Sequence, residues 1–280
     1  MLKDVMVHLD GSADDVVRLE RAEAVGTQFG AHLTGLLTIR LPTPFITMEE
    51  SATAAALVSE MVQRAREEGN ATSKKVQSRL STLSCPSELR RIDGVSGDIE
   101  RRAVAEARTA DLVVALRPYG AGRKTVWLEL VEALLFGTGR ALLLQPPDGK
   151  PAQPITRPFV CWNESREATR AVAEAMPFLR AAQSVVLAMV DPDTGSGAEW
   201  HEPGAAMARH LARHGVKTEL MNVAAGSHAS AEALLRAAES RGADLIVLGG
   251  YGHSRLREWA LGGVTRDMLT SANVPLLIAH

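Results

Sequence analysis

The stretches "DVMVHLDGSADDVVRLERAEAVG" (4–26) and "PFVCWNESREATRAVAEAMPFL" (158–179) open two halves of the chain in the same way. Each is a short apolar run, then Asp10 or Asn163, then Ser12 or Ser165, then apolar residues at helical spacing. Ser12 and Ser165 read as helix N-caps, because a side-chain oxygen there can accept from an orphan amide. The ends of the halves match too. "ADLVVAL" (110–116) pairs with "ADLIVLG" (243–249), and "GRALLLQ" (139–145) pairs with "NVPLLIA" (273–279). A repeat on this scale predicts two copies of one domain.

Within the second half, strands are expected at 159–162, 184–190, 216–223, 244–248 and 275–279. Helices are expected at 165–182, 199–214, 227–241 and 263–271. The strand segments are apolar without alternation, which suggests burial on both faces. With helices as crossovers, that means a parallel sheet. Ligands in such sheets sit beyond the carboxyl ends of the strands, where Asn163 and Gly249 both fall. The expected domains are 1–146 and 157–280, joined by the Pro-rich "PPDGKPAQPITRP" (146–158). The first half is longer by roughly 19 residues on this hand alignment. The surplus follows "HLTGLLTIRLPTPF" and reads as a lengthened surface helix over 48–83.

The totals agree with two domains of roughly 140 residues each. Apolar residues make up 46% of the 280 and aromatics only 4%, so Ala, Val and Leu must build the cores. Lys and Arg total 31 against 33 for Asp and Glu. That balance exerts no general pull on nucleic acid or an anionic membrane, and neither is expected as a partner. The two cysteines, Cys85 and Cys161, have no metal-ligand spacing and read as reduced thiols. No apolar run reaches the length of a membrane span, and the charged start "MLKD" is no signal peptide. A cytoplasmic protein is expected.

The segment "LGGYGHSRLREWALGGVTRDML" (248–269) bears most directly on function. Its spacing is Gly249-x2-Gly252-x9-Gly262-Gly263, between a strand and a helix. Glycines allow positive φ and close approach of backbone to a ligand. Helix N-terminal amides favour anions. The segment could cradle a triphosphate, or its glycines could only form turns; spacing alone leaves both readings open.

These features resemble the universal stress protein family in its tandem form, over nearly the whole chain and most closely in the second half. Its ATP-binding members carry G-x2-G-x9-G-[S/T], onto which Leu248, Gly249, Gly252, His253, Gly262, Gly263, Val264 and Thr265 fall. The resemblance implies that Asn163 stands where the family places an Asp toward adenine and ribose, and that Met189 lines the adenine pocket. It implies ATP or a related adenine nucleotide as ligand, with Mg2+ as an accompanying ion, in a stress-related regulatory role. It also implies two Rossmann-like α/β domains, each with a five-stranded, mostly parallel sheet, packed about a pseudo-twofold axis. "ALLLQ" should then lie antiparallel to "PLLIA", an internal pseudo-dimer that leaves room for a homodimer of whole chains.

Two departures stand out. Gly263 replaces a Ser/Thr and loses a hydroxyl donor, and Asn163 replaces Asp and loses a charge. The first half departs further, since Leu128 and Glu129 align with Gly262 and Gly263, and Leu116 with Gly249. Bulk and a carboxylate would stand where phosphate should approach, so the first half is expected to have lost the nucleotide loop although Asp10 remains. His8 reads as a core histidine. His210 and His214 are four apart on one helix but have no further ligands nearby in sequence, so no metal site is expected. No nucleophile or general base is evident, so any hydrolysis would be slow. The rival readings are a scaffold of the same fold without nucleotide, and an ATP-using hydrolase drawing on Glu258 or Asp267.

Overall fold

The computed structural model describes residues 1–42, 52–119, 127–147, 152–192, 202, 204–226, 229–250 and 263–280. The first half runs β1 (Asp4–Leu9), α1 (Asp15–Phe29), β2 (His32–Arg40), α2 (Ala52–Leu80), β3 (Ser87–Gly94), α3 (Asp98–Ala107), β4 (Leu112–Leu116), α4 (Leu128–Gly137) and β5 (Leu142–Gln145). The second half repeats that order: β6 (Pro158–Cys161), α5 (Arg166–Ala181), β7 (Val185–Val190), α6 (Ala205–Arg213), β8 (Thr218–Val223), α7 (Ser230–Ser240), β9 (Leu245–Gly249), α8 (Gly263–Ser271) and β10 (Leu276–Ala279).

One ten-stranded sheet results, in the order β3-β2-β1-β4-β5-β10-β9-β6-β7-β8. Each half is parallel throughout. The halves meet where β5 and β10 run antiparallel, with Leu276 opposite Leu144 and Ile278 opposite Leu142. The expected pseudo-twofold pairing of "ALLLQ" with "PLLIA" is therefore present. Central strands such as β4, β5, β9 and β10 are buried on both faces, which explains their unbroken apolar character.

Side chains alternate between the two faces of the sheet and build two cores. One joins β1, β4 and β5 residues with α1, α2, α5 and α6, through Leu19, Val25, Val76, Leu80, Phe178 and Leu211. The other lies under α3, α4, α7 and α8, through Ile99, Leu130, Leu134, Leu234 and Met268. Both cores cross the β5–β10 seam, so the halves share their interiors.

Polar contacts also tie the halves. Arg117 Nη1 donates to the Ala272 carbonyl at 2.6 Å, and Arg170 donates to the Gly139 carbonyl. The connecting chain is pinned on both sides. Gln28 exchanges hydrogen bonds with the backbone of Ile155, while the Asp244 carboxylate accepts from Thr156 and Arg157.

One expected cap is corrected. Ser165 caps α5, its Oγ accepting from the Ala168 amide at 3.1 Å. Ser12 does not cap α1, whose N-cap is Asp14 without a side-chain bond. Its hydroxyl donates to Asp10 Oδ1 at 2.6 Å, and its oxygen accepts from Arg18 Nη2 at 3.1 Å in place of a helix amide. The long helix is present from Ala52 to Leu80; residues 48–51 of the expected span lie outside the described residues.

Candidate functional site

In the second half, four features meet the carboxyl edge of the sheet. Asn163 follows β6 and is exposed. Its Oδ1 accepts from the Ser165 hydroxyl at 2.7 Å and from the Ser165 amide at 3.3 Å. The side-chain NH2 is thus the group it can offer a ligand, as a donor. Between them Glu164 holds φ at 60°, the conformation Gly11 supplies in the first half with φ 80°.

Met189, next to last in β7, is buried, its Sδ 2.8 Å from where a Cβ on Gly204 would lie. Leu248 is buried on the opposite face of the sheet, so these two side chains do not line one wall.

The glycines of the loop divide by cause. A Cβ on Gly249 would come within 2.4 Å of the Ala168 nitrogen and 2.5 Å of the Glu167 carbonyl carbon. The first turn of α5 lies directly on β9 there, so packing alone demands glycine. A Cβ on Gly263 would meet nothing within 4 Å among the described residues. Gly263 opens α8 at an exposed position, followed by exposed Val264 and buried Thr265. Among the described residues nothing crowds this helix start, and a helix N-terminus is a place that favours an anion. Gly252, His253 and Gly262 lie outside the described residues, as does Glu258; Asp267 is exposed on α8.

The matching edge of the first half is filled by its own side chains. Arg18 of α1 is 1% exposed and donates to Asp10, Asp15 and Ser12. Asp15 also accepts from the Asp10 and Gly11 amides at 3.1 and 2.8 Å. Arg18 Nη1 lies 3.1 Å from His8 Nδ1. A guanidinium only donates, so Nδ1 accepts and Nε2 carries the proton toward Thr38 Oγ1 at 2.8 Å. Burial, reinforced by the Arg18 charge, pushes His8 down to about 3, so it stays neutral as a core histidine.

Two carboxylates share the one guanidinium, and they titrate apart. Burial pushes Asp15 up to about 6 against the pull of Arg18, and the Asp10 charge adds to the rise. Burial opposes ionisation of Asp10 as well, but Arg18 and the Ser12 bonds hold its carboxyl well below the usual range.

The last oxygen of Asp10 accepts from the Trp127 indole N–H at 2.6 Å. Trp127 precedes α4, meets His8 edge-on with ring centroids 4.7 Å apart, and carries the Arg40 guanidinium 4.9 Å above its ring centre. Glu129, in the first turn of α4, accepts from Ser96 Oγ at 2.8 Å. The carboxylate stands at a helix start, as its alignment with Gly263 suggested, and complements the dipole there.

Residues 159–280 match the model of the universal stress protein family. This half of the chain belongs to the universal stress protein family. A curated relative, Universal stress protein MJ0577 of Methanocaldococcus jannaschii, is 36% identical over 47 residues, which are 17% of this chain and 29% of that protein. The match thus spans less than a third of the relative's length. The fold likeness extends over both halves. A universal stress protein from Archaeoglobus fulgidus covers 99% of this chain and 95% of its own, at 16% identity and a TM-score of 0.67. The functionally unknown protein PA1789 of Pseudomonas aeruginosa PAO1 covers 99% and 92%, at 15% identity and a TM-score of 0.54. At these identities the likeness concerns the fold.

Within this universal stress protein fold, the structure brings Asn163, Gly249 and the start of α8 to one edge of the sheet. Asp10 sits at the matching place in the first half, but its acceptor oxygens are engaged. Arg18 and Trp127 are the residues that sequence reasoning missed. A pair of acids at a buried turn requires a nearby cation, and Arg18 at helical spacing from Asp15 was the signal available. Trp127 reaches Asp10 only through the fold. His210 and His214 face each other with ring centroids 4.7 Å apart, yet no group of three metal-ligating side chains is gathered among the described residues. Cys85 and Cys161 form no disulfide, and burial pushes the Cys161 thiol up to about 12. Among the described residues no helix is long and apolar enough to cross a membrane.

Proposed function

We propose that the second half binds ATP or a related adenine nucleotide at the carboxyl edge of β6, β7 and β9, and that this binding serves a regulatory role in a stress response. The observation that carries the reading is the start of α8. No described residue crowds Gly263 at the first position of α8, and a phosphate is the ligand class that a helix N-terminus favours. Asn163 supplies a donor amide, suited to an acceptor on the base or sugar. Mg2+ would accompany the phosphates as their counter-ion.

A second reading, a scaffold of the same fold without nucleotide, is favoured by Gly249. That glycine is required by the contact with α5 whether or not a ligand is present. Calorimetric titration with ATP separates the two. The wild type should show one site per chain. Gly262→Leu with Gly263→Glu, copying the first half, should abolish it by filling the phosphate space and repelling its charge. Gly263→Ser meets no neighbour and adds a hydroxyl donor, so it should keep or tighten binding by about 1 kcal/mol. Equal affinity in wild type and the double variant, with unchanged melting, would sink the phosphate reading in favour of the scaffold.

A further inference from the structure

We infer that the phosphate site of the second half depends on the first half, whose Arg117 and Phe136 are positioning residues for it. This dependence rests on the nucleotide reading of the second half. It gives the half with the filled edge a part in the other half's binding. Gly250 and Gly263 are the described residues on either side of the glycine segment, and the first half grips the chain at both ends.

One grip is on α8. Arg117 is the first residue past β4, and its amide is fixed to the Gln145 carbonyl at 3.0 Å. Arg117 is buried, and its guanidinium crosses the β5–β10 seam to donate to the Ala272 carbonyl at 2.6 Å. Ala272 directly follows α8, is fully buried, and bonds its own amide to the Met268 carbonyl at 3.0 Å. A cation there satisfies a carbonyl at the helix end and complements the negative pole of the dipole. The nine residues of α8 span only about 13 Å. A buried charge that fixes one end of so short a rod also aims the other, where Gly263 stands.

The other grip is on the chain leaving β9. Gly250 holds the place of Arg117 in the repeat, and its amide is fixed to the Ala279 carbonyl at 2.8 Å. A Cβ on Gly250 would come within 2.7 Å of Ile278 and 3.6 Å of Leu135, a residue of α4 in the first half. The Gly250 carbonyl lies 3.0 Å from His280 Nδ1. A carbonyl only accepts, so Nδ1 carries the proton. The His280 ring meets Phe136 of α4 edge-on, with centroids 4.9 Å apart. Gly250 thus sits between His280 of its own half and Leu135 of the other, with Phe136 backing the imidazole.

These contacts are not returned residue for residue. Gly250 has no side chain with which to reach the end of α4, and Pro146, at the place of His280, has no side-chain donor. The carbonyl past α4 is met instead by Arg170, which is exposed. The buried charge and the aromatic brace both act from the first half on the second.

The test uses the full chain and two ligands, ATP and adenosine, which share base and sugar and differ in the phosphates. Arg117→Met keeps bulk and removes the charge and its donors. It should weaken ATP binding by about three- to thirtyfold, the range for coupling between packed elements, and leave adenosine binding unchanged. Phe136→Ala, at a half-exposed position, is the milder variant for folding and should show the same selective loss. Hydrogen exchange read without ligand should quicken in α8 of Arg117→Met and stay unchanged in β1 and β2. Equal losses for ATP and adenosine would leave Arg117 a structural role alone and overturn the inference. Unchanged ATP affinity in both variants, or unchanged exchange in α8, would overturn it too, with the nucleotide reading left intact. A wild type that binds neither ligand would overturn that reading and this dependence together.

Discussion

A methyl group at Gly249 would press on the backbone of Glu167 and Ala168, atoms that cannot swing aside. Gly249→Ala should therefore lower stability by about 1–3 kcal/mol, the range for forced overpacking, whether or not nucleotide is present. Chemical denaturation of the ligand-free protein measures this, and a loss well below that range would show that α5 does not seat on β9 as described. Gly249 and Gly263 belong to one sequence motif yet are glycines for opposite reasons, contact in one case and openness in the other. That difference was illegible in the sequence, because spacing records neither.

The paired acids of the first half carry a second residue-scale consequence. Asp15 is raised to about 6 by burial. Between its ordinary value and 6 the folded protein therefore holds more protons at this site than the unfolded chain. Stability from this group falls as pH rises through that window, with the relief fully present below its ordinary value. Asp10, held low, acts in the opposite sense and loses its contribution only below the ordinary carboxylate range. Asp15→Asn should flatten the change between about pH 4 and pH 6. Urea unfolding of both proteins across that range is the measurement; parallel curves would refute the assignment.

At the scale of elements, the turns from β1 into α1 and from β6 into α5 make the same excursion with different residues. Gly11 takes its positive φ without penalty, while Glu164 is forced into it at 60°. Glu164→Gly should relieve backbone strain of about 1 kcal/mol or somewhat more, partly offset by the greater freedom of glycine in the unfolded chain. A net gain of a few tenths of a kcal/mol to about 1 kcal/mol is expected in thermal melts; a loss would mean that the Glu164 side chain contributes a contact.

The elements themselves were the most legible part of the sequence. Apolar runs flanked by turn residues located β6 to β10 to within about two residues at either end. The Ser165 cap was legible for the same local reason. The Ser12 cap was not, because the Arg18 guanidinium donates to the Ser12 oxygen, whereas Ser165 Oγ accepts from the Ala168 amide while donating to Asn163. The filled edge of the first half was hidden for a different reason. Asp10, Arg40 and Trp127 come from three separate elements, and no local pattern links them.

At the scale of the whole molecule, the repeat was readable because both ends of each half carry it, and the family resemblance built on it implied the pairing of β5 with β10. The outer strands differ in kind from the central ones. β3 and β8 carry Glu88, Arg90, Arg91 and Glu219 and are partly exposed, a composition that discourages further strand addition. β5 and β10 have no such protection and are buried along their length. Either half expressed alone should therefore associate or aggregate through that bare edge. Monomeric, soluble halves at high concentration in sedimentation experiments would refute the seam as a true core.

Joining the halves in one chain also changes what the seam must accomplish. Two separate subunits must meet by diffusion, and their pairing weakens on dilution. Here the short segment pinned by Gln28 and Asp244 holds each bare strand at a high effective concentration of the other, and dilution does not lower it. The pairing of β5 with β10 is intramolecular, so its two sides are free to differ. One half could fill its carboxyl edge with Trp127 and Arg18 while the other kept an open helix start, without either change having to suit both sides of a symmetric assembly.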